Sequence, residues 1–287
     1  MRILAIDIGG TKIAIGLVDN GSLLERVQIA TPCVQSAEQF AQVLLEYTKD
    51  WMSGVEAIGV STTGLVSKEG ISAINPDTLS FPTPFPLAQA LEAATDKPVK
   101  MLNDAQAAAW YEFVQLDEPR ANMAFITVST GVGGGIIIDG KLHQGSSGLA
   151  GHIGHTSINP NGPICGCGQT GCVEAIASGT AIQKLSSETM IPQLSNIELF
   201  EQANINSEAE RIINRSAIAI ATLCCNLRAT LDLDTVVLGG GIGLAKGYLR
   251  RVNQAIQSKP RPFRVNVVAA KGDYDACLLG AAHQFEE

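Results

Sequence analysis

The sequence predicts a two-domain α/β protein with a duplicated core, on three observations. Short apolar strands alternate with segments of helical spacing along the chain. The order strand, glycine turn, strand restarts near residue 123. Glycine turns follow apolar runs at Gly9–Lys12, Gly131–Gly135 and Gly239–Gly243. A length of 287 residues is enough for two sizeable cores.

The elements follow in order. ILAID, IGGTK and IAIGLVD read as strand, turn and strand, and a DNG turn leads to a third strand around Leu23 to Ala30. Residues 37 to 50 place Phe40, Val43, Leu44 and Tyr47 at helical spacing, and AIGVSTTG reads as a buried strand ending in a turn. Residues 87 to 94 form a short helix, PVKMLND the next strand, and Asn103 or Asp104 caps the helix AQAAAWYEFVQL. AFITVSTGVGGGIIIDGKL then repeats the opening, and a shift of 122 places Asp7 on Ser129 and Gly9 on Gly131. A helical region from about 178 to 231 follows, then DTVVLGGGIGLAKGYLRRVNQAI as strand, glycine turn and helix. Strand VNVVAA and a helix around Ala276 to Phe285 complete the chain. The expected domains are 1–103 with 276–287, and 104–275, with a cleft between the two similar halves.

Composition narrows the function. A net charge of −8 argues against a nucleic-acid surface, which needs clustered Lys and Arg. The N-terminus MRILAIDIGG lacks the apolar segment of a signal peptide, since Asp7 interrupts it. The longest uncharged apolar run, Ser216 to Leu227, is about a dozen residues against the roughly 20 of a membrane helix. The expectation is a soluble, cytoplasmic protein without a nucleic-acid or membrane partner.

In a reducing compartment the seven cysteines stay reduced unless a metal holds them. Cys33, Cys224, Cys225 and Cys277 read as small buried apolar residues. Cys165, Cys167 and Cys172 are different: C-x-C-x₄-C, with glycines at 166, 168 and 171, lets one loop fold three sulfurs around a point. His155 can supply a fourth ligand, and Cys₃His is a closed tetrahedral zinc set with no open position. A thiol redox pair is the rival, but the spacing is not C-x-x-C. A structural Zn²⁺ would fix the loop that carries His152 and Glu174, whose side chains can meet a polar ligand. His143 and His283 read as surface or packing residues.

Backbone amides in a glycine turn can hold phosphate oxygens, although tight turns need glycine in any case. The P-loop pattern is absent, and the one literal GxGxxG is interleaved with the cysteines and has no strand before it. Asp104 has two readings. It is a helix N-cap, or a carboxylate that takes a proton from a hydroxyl attacking a phosphate; the helix N-terminus favours its ionised form in both.

Taken together, DIGGTK at 7–12, STTG at 61–64, NDA at 103–105, STGVGGG at 129–135, GHIGH at 151–155, CGCGQTGCVEAIASG at 165–179 and LGGGIG at 238–243 resemble the ROK family of sugar kinases and repressors. The resemblance spans essentially the whole chain and implies the two-domain actin-like ATPase (ribonuclease-H-like) fold, with ATP and Mg²⁺ bound between the domains. It implies that Asp104 is the catalytic base and that zinc sits on His155, Cys165, Cys167 and Cys172. Sugar contacts are implied at Gly64, Asn75, Asn103, Asp104, His152, His155 and Glu174. ATP contacts are implied at Ala5, Ile6, Asp7, Ile8, Gly9, Gly10, Thr11 and Lys12. The second set is Gly131, Val132, Gly133, Gly134, Gly135, Ile136, Ile137 and Ile138. A homodimer is also implied.

One departure concerns the sugar. The family's glucokinases carry glutamate where this chain has His152, and the surrounding sequence looks most like the branch acting on N-acetyl-D-mannosamine in sialic acid breakdown. An imidazole in place of an acceptor-only carboxylate changes which sugar groups are satisfied. Glucose or another N-acetylhexosamine is the alternative. A repressor is disfavoured, because the first glycine turn begins at residue 9 and the charge is wrong for DNA.

Overall fold

The computed structural model describes residues 1–74, 81–116, 122–272 and 274–285. It divides into two compact units, Met1–Gln115 with Gln144–Ala150 and Gly272–Glu287, and Leu116–His143 with Gly151–Lys271.

In the first unit, β1 (Arg2–Ile8), β2 (Lys12–Asp19) and β3 (Ser22–Ala30) precede α1 (Ala37–Thr48) and the buried β4 (Ala57–Thr62). A small ribbon, β5 (Leu65–Ser67) and β6 (Gly70–Ser72), is followed by α2 (Leu87–Thr95), β7 (Val99–Asn103) and α3 (Asp104–Val114). The sheet order is β3-β2-β1-β4-β7, antiparallel across the first three strands and parallel across the last three. Side chains alternate across β1, so its two faces build two cores. Leu4, Ile6 and Ile8 join Phe40 and Leu44 of α1 and Leu87 and Leu91 of α2. Ile3 and Ala5 pack with Leu278 and Ala282.

The second unit repeats this scheme. After β8 (Met123–Val128), β9 (Val132–Ile138) and β10 (Lys141–Leu142) come α4 (Val173–Ala177), α5 (Gly179–Thr189), α6 (Asn196–Gln202) and α7 (Ser207–Leu231). Then follow β11 (Thr235–Gly239), α8 (Gly240–Gly243), α9 (Tyr248–Gln257) and β12 (Asn266–Ala269). Its order, β10-β9-β8-β11-β12, has the same antiparallel and parallel pairings as the first sheet. The repeated topology bears out the α/β duplication read from the sequence. The last helix, α10 (Ala276–Ala282), returns to the first unit.

The expected boundary at residue 103 moves. Helix α3 belongs to the first unit because it packs on α10, so closely that a Cβ on Gly280 would collide with the Ala107 carbonyl. Residues 144–150 join it too, since Gln106 Nε2 donates to the carbonyls of Gly148 (3.2 Å) and Ala150 (2.7 Å). Two smaller readings also change. Tyr47 is exposed while Phe40 and Leu44 are buried, because Ala37, Ala41 and Thr48 complete the inward face of α1. Cys33 is exposed, lying in the irregular segment after β3, whereas Cys224 and Cys225 are buried on α7. The helical region expected from about 178 to 231 is made of α5, α6 and α7. Among the described residues no helix is long and apolar enough to cross a membrane.

Candidate functional site

The first unit assembles its functional side chains at the ends of β1 and β7. After β1 the chain turns tightly, with Gly9 N donating to Lys12 O at 2.9 Å. Thr31 braces the turn from outside β3: its N–H donates to Thr11 O (3.0 Å) and its Oγ1 to Gly9 O (2.8 Å). The bracing leaves Gly10, Thr11 and Lys12 exposed. Ala5, Ile6 and Ile8 turn buried side chains into the two cores, so they position the turn rather than line it. Asp7 accepts from Ser61 Oγ at 2.7 Å; burial raises its carboxyl pKa, the Ser61 bond works against that, and the charge of Asp275 adds to it.

Asn103, not Asp104, caps α3. Its side chain accepts from Ala105 N at 3.0 Å and closes a capping box with Gln106. Its Nδ2 donates to Gly64 O at 2.9 Å, which brings Gly64, Asn103 and Asp104 together. Asp104 is half-buried at the first position of the helix and accepts from Ala105 N at 2.7 Å. Burial, opposed by the Ala105 bond and reinforced by the charge of Asp7, pushes its pKa up to about 6. That is an appropriate value for a carboxylate that is ionised at neutral pH yet basic enough to take a proton. Asn75 lies outside the described residues.

In the second unit, the turn between β8 and β9 is fixed by the start of α5. Gly179 N donates to Ser129 O (2.7 Å), and Thr180 donates to Thr130 O through N (3.2 Å) and Oγ1 (2.9 Å). Val132 N donates to Glu174 Oε2 at 3.0 Å. Of the residues expected to contact nucleotide here, Gly131 and Gly133 are half-buried, whereas Val132, Gly134, Gly135, Ile136 and Ile137 are buried along β9, which ends at half-buried Ile138. A pocket of about 750 Å³ opens beside this turn. Ser129, Thr130, Gly179, Thr180, Gln183, Lys184, Ser187, Asn196, Gly241 and Ile242 are among its lining residues. The sequence reading assigned no role to the α5 and α6 residues in this set. Their signal was there in the polar spacing of Thr180, Gln183, Lys184 and Ser187, one face of a helix. It could not be tied to the third glycine turn without the fold.

The cysteine loop gathers as its spacing predicts. The ligand atoms of His155, Cys165, Cys167 and Cys172 all lie within 4.8 Å of one another. Cys167 Sγ is 3.8 Å from Cys172 Sγ, and Cys165 Sγ is 3.6 Å from His155 Nδ1. Sulfurs bound tetrahedrally at about 2.3 Å from zinc are about 3.8 Å apart, so donor set and spacing fit that ion. Gly168 (φ 88°) and Gly171 (φ 73°) take left-handed conformations that let the loop return on itself. Burial and neighbouring thiols push Cys172 up to about 12, a cost that a bound dication would relieve.

Glu174 and His152 adjoin this loop. Glu174 Oε1 lies 3.8 Å from Cys165 Sγ and 3.9 Å from His155 Nδ1. His152 is shifted down to about 4 by burial and by the nearby His155, so its ring is neutral at pH 7. Its Nε2 is buried and meets no hydrogen-bond partner among the described residues. His143 is exposed and His283 buried, as a surface and a packing residue.

With this geometry in place, comparison with known proteins is decisive. The ROK family model matches residues 3–287. The chain belongs to the ROK family. It is 66% identical over 287 residues to the N-acetylmannosamine kinase of Vibrio cholerae serotype O1 (strain ATCC 39315 / El Tor Inaba N16961), covering 100% of both chains. It is 62% identical over 289 residues to the N-acetylmannosamine kinase of Vibrio vulnificus (strain CMCP6), covering 100% of this chain and 99% of that one. Among solved structures, the ROK hexokinase from Thermus thermophilus superposes with a TM-score of 0.85 at 34% identity, covering 98% of this chain and 97% of the other. The fold is that of the actin-like ATPases, as the sequence led us to expect.

Proposed function

We propose that this ROK protein is an ATP-dependent kinase that phosphorylates the 6-hydroxyl of N-acetyl-D-mannosamine, a cytoplasmic step of sialic acid breakdown. The observation that carries the substrate is the 66% identity, end to end, to a protein named N-acetylmannosamine kinase. Asp104 supplies the chemistry. Its carboxylate accepts the proton of the sugar O6 hydroxyl as that oxygen bonds to the γ-phosphorus, the bond to the β–γ bridging oxygen breaks, and ADP leaves. Such base assistance is typically worth about 10²–10⁴ in rate, and the remainder comes from holding phosphates and hydroxyl in line. Mg²⁺ accompanies the ATP phosphates and neutralises their charge.

The other residues follow from what each can donate or accept. Free amides of the Gly9–Lys12 and Gly131–Gly135 turns hold phosphate oxygens, and the pocket lined by α5 takes the nucleoside. Gly64, Asn103, His155 and Glu174 hold sugar hydroxyls. The neutral ring of His152, with its unpartnered Nε2, meets the uncharged 2-acetamido group better than a carboxylate would. Zn²⁺ on His155, Cys165, Cys167 and Cys172 stiffens the loop that carries these groups. The enzyme acts as a homodimer.

The test is ADP release measured side by side with N-acetylmannosamine, N-acetylglucosamine and glucose. The proposal expects N-acetylmannosamine to have the highest kcat/KM; preference for glucose would assign the protein to the family's glucokinases instead.

A further inference from the structure

Within the second unit, one carboxylate touches both the glycine turn and the cysteine loop. Glu174 is the second residue of α4, two positions after Cys172, and its Oε2 accepts from Val132 N at 3.0 Å. It lies so close to the turn that a Cβ on Gly131 would come within 2.6 Å of the same oxygen. The turn itself is pinned on its carbonyl side by Gly179 and Thr180. Among the described residues, the amides of Thr130 and Gly131 meet no acceptor, so Val132 N is the turn amide that a side chain already occupies. Glu174 reaches the turn with the far end of a flexible side chain, whereas the contacts from Gly179 and Thr180 hold the turn's backbone carbonyls.

We infer that Glu174 is a positioning residue that couples the two substrates: its carboxylate holds the Val132 amide of the second phosphate turn, and a sugar hydroxyl bound to it draws it away. This rests on the proposed function, which places phosphate at the turn and sugar hydroxyls at Glu174. A carboxylate is acceptor-only, so it can leave Val132 N–H only for another donor, and a sugar hydroxyl is one. A polyphosphate arriving while Glu174 is still in place meets an anion that holds the amide it needs. Sugar therefore raises nucleotide affinity, and by linkage nucleotide raises sugar affinity by the same factor.

Calorimetric titration of a non-hydrolysable ATP analogue with Mg²⁺, with and without saturating N-acetylmannosamine, tests this on the full-length wild type, Glu174→Gln and Glu174→Ala, each checked for zinc content and fold. The expected wild-type result is nucleotide binding at least about tenfold tighter with sugar than without. Both variants should bind the analogue without sugar at least about fivefold more tightly than wild type, with the sugar effect reduced to about twofold or less. Variants that keep the wild-type coupling, or that bind the analogue no better without sugar, overturn the inference. So does a wild type that phosphorylates N-acetylmannosamine while binding nucleotide equally well with and without it, a result that leaves the proposed function standing. Failure of the wild type to turn over any sugar strikes the proposed function instead, and the sugar-free nucleotide affinity of the variants still decides the role of Glu174.

Discussion

At the scale of single residues, the account depends on groups whose protonation is set by their surroundings. As the proposed base, Asp104 would act only when ionised, and burial beside Asp7 pushes it up to about 6. Turnover at low substrate should therefore fall as pH drops through about 6 and be level above it; a profile flat down to pH 5 would contradict a base with this environment. The same shift has a stability consequence of definite sign. The folded chain holds this proton more tightly than the unfolded chain, so ionisation above about pH 6 costs stability and protonation below it restores the fold's advantage. His152 carries the specificity argument. His152→Glu should lower kcat/KM for N-acetylmannosamine relative to glucose by about tenfold or more, read from the same sugar panel; an unchanged ratio would remove His152 from substrate choice. These residues were legible in the sequence because each stands in a dense motif. The brace from Ser61 to Asp7 was not, since it joins residues 54 positions apart through a pairing of β1 and β4 that only the sheet creates.

At the scale of elements, the placing of Asp104 depends on how α3 is held, and α10 packs against that helix. The two helices meet through Gly280 and Ala107, where any side chain on residue 280 collides with backbone. Gly280→Val should cost about 1–3 kcal/mol in urea unfolding and also lower kcat, because it displaces the helix that presents Asp104. A variant of wild-type stability and rate would show that this contact does not hold the helix. The boundary expected at residue 103 missed the same contact for a physical reason. Helical periodicity shows that α3 has an apolar face but not which partner covers it, and the partner, α10, lies near the far end of the chain, beyond the reach of any local signal. Strand and turn chemistry was more readable. The glycine turns, a cap at Asn103 or Asp104 and the duplicated order of elements all follow from local rules; the turns and the order recur in the structure, and the cap is Asn103.

For the molecule as a whole, one sheet scheme used twice gives each unit its own set of chemistry-bearing loops. The first carries Asp104 and one glycine turn; the second carries another turn, the pocket beside α5 and the cysteine loop. Zinc should be present at one ion per chain by elemental analysis of untagged protein. Cys172→Ala should lose both the ion and most sugar affinity, as measured by calorimetry. Full metal-free activity in the wild type would contradict the role given to the loop. The pocket on α5 was the least legible feature of the site, because its lining comes from four separate segments and nothing local to any of them shows that they meet.

The most direct measurement compares the wild type with Asp104→Asn on N-acetylmannosamine and ATP, with sugar binding followed by calorimetry in the same preparations. The account predicts turnover reduced by at least about a hundredfold while sugar is still bound. Turnover within a few fold of wild type would contradict it, because a proton acceptor other than Asp104 would then be serving the reaction.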